Sequence, residues 1–243
     1  MKEKINSFCE RFQCLSGAWL KIIAMISMLA DHTNKSIIYA CLKSNEGFLA
    51  GLSSLFDIIG RIAFPLYCFF LVEGFFKTHS RKKYLLMLLV FGVISEVPFD
   101  MSTTASYFNM NWNNVMFTLA LVLVTIWIID TLKEKMQNRS KVLWYLASLV
   151  ILLIMCTVSM YLALDYEHHA ILIGYVFYLF RDVRMLTVPL GYATMVSQPW
   201  SLLGFGLTLT YNGERGRQNK MLFYWFYPVH LLILGALRLY LGI

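Results

Sequence analysis

From Leu15 to Ile243 the chain is built from apolar runs, such as VLWYLASLVILLIMCTVSMYLAL, that follow one another with short polar breaks. A helix needs about 20 apolar residues to cross a bilayer, so runs of this length and number confine the fold to a membrane bundle. The composition agrees, at 58% hydrophobic, 16% aromatic and only 14% charged residues, with a mean hydropathy of +0.61. A soluble domain carries far more charge. The class is therefore all-α, a polytopic integral membrane helical bundle. Apolar segments near 15–33, 53–76, 84–97, 114–130, 142–164, 169–180, 185–197, 200–211 and 222–241 predict about nine helices, several of them short or kinked. No Pro/Gly/Ser-rich linker and no internal repeat separates them, so 1–243 reads as one integral membrane domain. Residues 1–14 are polar, and no small-residue cleavage site follows the first run, so that run is read as a retained helix.

A net charge of +7 would suit a nucleic-acid binder, but the basic residues fall in short clusters between apolar runs, so the bilayer rather than nucleic acid is the expected partner. Lys2/Lys4/Arg11, Lys77/Arg81/Lys82/Lys83, Lys133/Lys135/Arg139/Lys141, Arg181/Arg184 and Arg215/Arg217/Lys220 all fall on one side, which the positive-inside rule makes cytoplasmic, together with the N-terminus. Asp100 to Asn114 contains no Lys or Arg, and Asp165 to His169 is acidic with two histidines, so both loops are expected to face outward. The stretch 185–211, interrupted by Pro189 and Pro199, is open between one kinked span and a re-entrant pair. The five cysteines show no metal-ligand spacing, and no metal is expected.

Against this apolar background the ionisable residues stand out, because inside a membrane they are costly unless they face a cavity or a partner. Asp31 and His32 end the run LKIIAMISMLA, and a carboxylate next to a His suggests a general base held in one tautomer. Lys21 lies eleven residues earlier on the same helix face, about three turns away. Arg61 and Glu73 lie in LFDIIGRIAFPLYCFFLVEGFF, where Pro65 is expected to kink the helix. At the expected depth Arg61 can reach Asp31. Glu96 in ISEVPFD is placed at the outer membrane edge and Asp100, just beyond, in solvent. Asn113, Asn114 and Thr118 are read as capping the next helix or lining a cavity. In FYWFYPVHLLIL, Tyr224, Tyr227 and His230 share a face, with His230 deep in an apolar span.

Taken in order, the segments SGAWLKIIAMISMLADHT, IGRIAFPLYCFFLVEGFFKT, ISEVPFD, NVMFTLAL and FYWFYPVHL resemble the TraX family of membrane acetyltransferases, named for a plasmid-encoded protein associated with N-terminal acetylation of pilin. The chain also looks distantly similar to the larger acyltransferase-3 type membrane enzymes. In those, a basic residue and a His three turns apart recur on the first helix, at the positions of Lys21 and His32 here, although Lys stands where Arg is common. The resemblance implies an acetyl-CoA donor and an amine or hydroxyl acceptor, such as a peptide N-terminus or a surface glycan. On that reading His32 is the base with Asp31 as its orienting partner. Arg61 and Lys21 bind CoA phosphates or oppose the developing oxyanion, His230 and Tyr227 serve the acceptor side, and Glu73 and Glu96 are further binding candidates. The rival reading from the same residues is a proton-coupled transporter with Asp31, His32, Arg61 and His230 as a relay.

Overall fold

The computed structural model describes residues 13–42, 47–109 and 111–243, and every regular element among them is helical. Helix α1 (Gly17–Thr33) continues through a π-helical turn (Asn34–Ile38) to Cys41. It is followed by α2 (Phe48–Gly60), α3 (Ala63–Lys77), α4 (Arg81–Thr104), α5 (Val115–Lys135) and α6 (Lys141–Tyr161), then by α7 (Glu167–Leu179), α8 (Arg184–Ala193), α9 (Ser201–Thr208) and α10 (Lys220–Leu241). Four helix starts are capped by the side chain just before them: Ser80, Asn114, Ser140 and Asn219 each accept a backbone N–H of the first turn. Five helical stretches, 48–77, 81–104, 115–135, 141–161 and 220–241, are long and apolar enough to cross a membrane. Most of the N-terminal segment, with Lys2, Lys4, Cys9 and Arg11, lies outside the described residues.

The span expected over 53–76 is broken at Arg61–Ile62 into α2 and α3. Pro65 supplies the cause, since it has no N–H to return to the carbonyl four residues back, and its ring crowds that carbonyl. Carbonyls freed near the break are taken up from α1, where the Ser27 hydroxyl donates to Ile59 O at 2.6 Å and to Gly60 O at 3.2 Å. In α4 the opposite happens, and the helix runs on through Pro98 to Thr104. Arg238 of α10 donates to the carbonyls of Ser102 at 2.8 Å and Thr103 at 2.7 Å, satisfying the end of α4 from outside. Asp100, expected in solvent, is consequently 1% exposed and accepts the Asn109 amide at 2.7 Å.

The segment 185–211 forms the re-entrant pair α8 and α9, because Arg184 at its start donates to Tyr211 O at its end, at 2.9 Å. The basic clusters of the described residues therefore gather at one end of the bundle. Gly17 donates to Glu214 O at 2.8 Å, Lys77 to the Tyr211 hydroxyl at 2.8 Å, and Arg81 pairs with Asp130 at 2.8 Å. The loops carrying Asn113 and Asp165 meet at the other end, Asn113 N donating to Ala163 O at 2.9 Å.

Helices α4 and α10 pack closely at Gly235, where an added Cβ would stand 2.6 Å from Met101 Cβ and 3.0 Å from Met101 C. Replacing Gly235 with Ala should therefore force these helices apart and cost about 1–3 kcal/mol. Gly206, with nothing within 4 Å of an added Cβ, is the control. Thermal unfolding in detergent should show a lower midpoint for Gly235→Ala than for Gly206→Ala, and equal midpoints would refute the packing argument.

Candidate functional site

The last turn of α1 and the π turn after it place Asp31, His32, Asn34 and Ser36 inside the bundle. π turns inserted in α-helices occur frequently at functional sites. Across from them α10 presents His230 and Tyr227, both buried. His32 Nδ1 lies 2.8 Å from His230 Nε2, and His230 Nδ1 lies 2.6 Å from the Phe226 carbonyl.

This chain of contacts assigns the protons. A carbonyl only accepts, so His230 Nδ1 carries a hydrogen, and in the neutral ring its Nε2 then carries a lone pair. His32 Nδ1 must then donate to that lone pair, which leaves His32 Nε2 unprotonated and, among the described residues, without a hydrogen-bond partner. Phe226 stacks on His230 at 4.6 Å between ring centroids, while the Tyr227 ring lies 6.0 Å from His32 and 5.8 Å from His230. Two neutral imidazoles in series, walled by aromatic rings, are thereby held in one tautomer, the arrangement a general base requires.

The orienting partner of His32 is thus His230, and the expected Asp31 contact is not made. Neighbours i and i+1 on a helix point to different faces, whereas i and i+4 meet. Asp31 accordingly pairs with Lys35, Oδ2 to Nζ 2.7 Å. Its other oxygen, Oδ1, has no hydrogen-bond partner among the described residues. Gly60 allows this closeness of α1 and α2, since a Cβ there would stand 2.6 Å from Asp31 Cβ. The expected Arg61–Asp31 pair is also replaced. Arg61 pairs with Asp57, one turn back, and donates to Gln198 Oε1 at 3.4 Å, so its charge acts on Asp31 without contact.

Lys21 and Glu73 belong to the opposite, basic end. Lys21 donates to Gln218 Oε1 at 2.8 Å and lies over Phe70 and Phe223, about 16 Å along α1 from His32. Buried Glu73 is held by Lys77 and Arg181, each at 3.1 Å. Glu96 sits on the site side, bound by the Asn114 side-chain amide, with Oε1 unpartnered among the described residues. Asn114 both caps α5 and reaches the Gly92 carbonyl at 2.8 Å. Of the eight candidates, the structure brings His32, His230, Tyr227 and Asp31 together, sets Arg61 and Glu96 near them, and separates Lys21 and Glu73.

Two further polar groups escape a reading of the sequence. Lys35 lies beyond the apolar run, although its i+4 spacing from Asp31 is a visible signal. Asp165 comes from the loop after α6, where Ala163, Tyr166 and Glu167 all adopt left-handed backbone, with φ of 47°, 61° and 42°. Such conformations are unfavourable for residues with a Cβ and persist only where the surroundings enforce them. Enforcement is visible: Asn113 accepts the Asp165 amide at 3.1 Å, Thr118 donates to Asp165 O at 2.8 Å, and Tyr166 stacks on Phe64 at 3.5 Å between ring centroids. The Asp165 carboxylate accepts the Tyr166 amide at 3.1 Å, and desolvation pushes its carboxyl up to about 6.

The family model described as TraX protein matches residues 16–238. A probable fimbrial assembly protein FimC, serogroup H1, of Dichelobacter nodosus is 30% identical over 254 residues, covering 93% of this chain and 97% of the relative. No solved structure matches. A family match that runs from the residue before α1 into the last turns of α10 takes in both histidines and every helix between them, and the chain belongs to the TraX family.

Proposed function

We propose that this multi-pass membrane protein is an acyltransferase that moves an acetyl group from acetyl-CoA to an amine or hydroxyl acceptor, with His32 Nε2 as the general base. The observation that carries the reading is the proton assignment along Phe226, His230 and His32, which leaves one uncommitted imidazole nitrogen in an interior otherwise filled by packed side chains. Acyl transfer requires removal of a proton from the attacking group, and a neutral His of fixed tautomer does this well. Tyr227, whose ring lies beside both imidazoles, takes the acceptor side on this reading.

The basic end suits the donor. Lys21 lies within the field of Lys77, Arg215 and Lys220, a group of cations fit for the phosphates of a CoA ester, whose reactive thioester lies at the far end of a long flexible arm. By the positive-inside rule this end is cytoplasmic. The name of the relative, a fimbrial assembly protein, suggests a fimbrial subunit as the acceptor. The wider acyltransferase-3 likeness rests on Lys21 and His32 alone and adds nothing to this.

Purified protein in liposomes, supplied with acetyl-CoA and a membrane fraction as the source of acceptor, tests the reading. Acetyl-CoA binding and CoA release above that of empty liposomes are expected. Protein that neither binds acetyl-CoA nor releases CoA would overturn the assignment.

A further inference from the structure

Of the five long spans α6 is the least enclosed, with 22% of its apolar stretch buried against 33% or more in the others. Its free face is not flat. Val142, Tyr145, Leu146, Leu149 and Leu152 recur at the spacing of one helix face, and with Tyr175 of α7 they line an open groove of about 360 Å³. From Val142 to Leu152 the helix rises about 15 Å, half of the roughly 30 Å hydrocarbon thickness of a bilayer. The groove thus spans one leaflet, starting at the basic end. Its mouth is charged: Lys133, Lys135, Arg139 and Lys141 stand there against Glu134 alone. Nearby Asp130 is taken by Arg81 and the Tyr178 hydroxyl. None of the four cations has a carboxylate in contact among the described residues. Lys133 is tied to the groove by contacts, its Nζ lying 5.5 Å from the centre of the Trp144 ring and 5.9 Å from that of Tyr178, while Trp144 meets the groove wall at Tyr145, 4.7 Å between ring centroids.

We propose that the groove between α6 and α7 binds an acyl chain of an anionic phospholipid in the leaflet at the basic end, with the headgroup phosphate held by Lys133 and Lys141. The occupant follows from the two halves of the site. One leaflet's length of apolar groove matches a single acyl chain, and unpaired cations at its mouth match a negative headgroup. A second copy of the chain matches the first half and not the second. Copies inserted the same way are related by an axis along the bilayer normal, so pairing through this face would bring their two basic clusters together. The site shares no residue with the His32 cluster and is independent of the acyltransferase reading.

The test is a titration of the purified protein in detergent with phosphatidylglycerol or with phosphatidylcholine of the same chains, followed by native mass spectrometry. Wild type should bind one phosphatidylglycerol at least tenfold more tightly than phosphatidylcholine. A lysine close to an anionic headgroup is worth roughly fivefold in affinity. Lys133→Gln combined with Lys141→Gln should therefore abolish most of the preference, while Lys82→Gln with Lys83→Gln, the same charge removed from the start of α4, should leave it intact. Leu149→Trp, which fills the groove, should weaken binding of both lipids several-fold, and Leu232→Trp on the free face of α10 should weaken neither. All of these side chains are exposed, so the fold tolerates their exchange. No preference for the anionic lipid in wild type, or equal losses from the two lysine pairs, would overturn the site. Lipid binding undiminished by Leu149→Trp would remove the groove from it, and dimers abolished by Leu149→Trp, in place of lipid-bound monomers, would give the face to a second copy.

Discussion

Replacing His32 with alanine should lower acetyl transfer by about 10²–10⁴-fold, the usual contribution of a positioned general base, while acetyl-CoA binding stays close to wild type. The split follows from the geometry. The cations suited to the CoA phosphates lie at the basic end around Lys21, about 16 Å along α1 from His32, so removing the imidazole leaves them in place. Turnover and binding measured on the same preparation decide the matter. Loss of both together, with an unchanged unfolding midpoint, would assign His32 to donor binding and refute its role as base.

The second large effect is expected at His230. Exchange for leucine removes the lone pair that holds the proton on His32 Nδ1, so the proton is free to move to Nε2, where it blocks the base. A wrong tautomer in a triad of this logic costs up to about 10⁴-fold. Here, with His32 itself retained, a fall in kcat on the order of 10²-fold is expected at unchanged KM for acetyl-CoA. His230→Gln has an amide oxygen able to accept from His32 and should recover part of the loss. Equal activities of the leucine and glutamine variants would show that His230 serves packing alone. The same pair of variants separates a tautomer lock from the acceptor-side role expected for His230 from sequence.

The helical class and the clustering of basic loops were legible because they depend on quantities that accumulate along the chain. Apolar length predicted helices at 142–164 and 222–241 that the structure places at 141–161 and 220–241. Loop charge predicted the basic end. Contacts between helices were less legible, since they depend on angles that spacing does not set. Asp31 and His32 are neighbours in sequence and point apart, whereas Asp31 and Lys35 are four apart and meet. The position of Pro65 was visible but its consequence, a full break at Arg61, depends on Ser27 of another helix accommodating the freed carbonyls. Asp165 was the least legible. Its sequence context, LDYEHH, reads as an exposed acidic loop, and nothing in it signals the left-handed turn pinned by Asn113 and Thr118.

The pairing of His32 with His230 joins the first described helix to the last, across 198 residues of chain. During synthesis α1 enters the membrane long before α10 exists, and its Asp31 and His32 must wait there without the second imidazole. The pair is thereby tied to completion of the polypeptide: a nascent or prematurely terminated chain carries His32 but not the residue that sets its proton. A site arranged in this way stays unassembled through insertion and is complete only when the last helix docks.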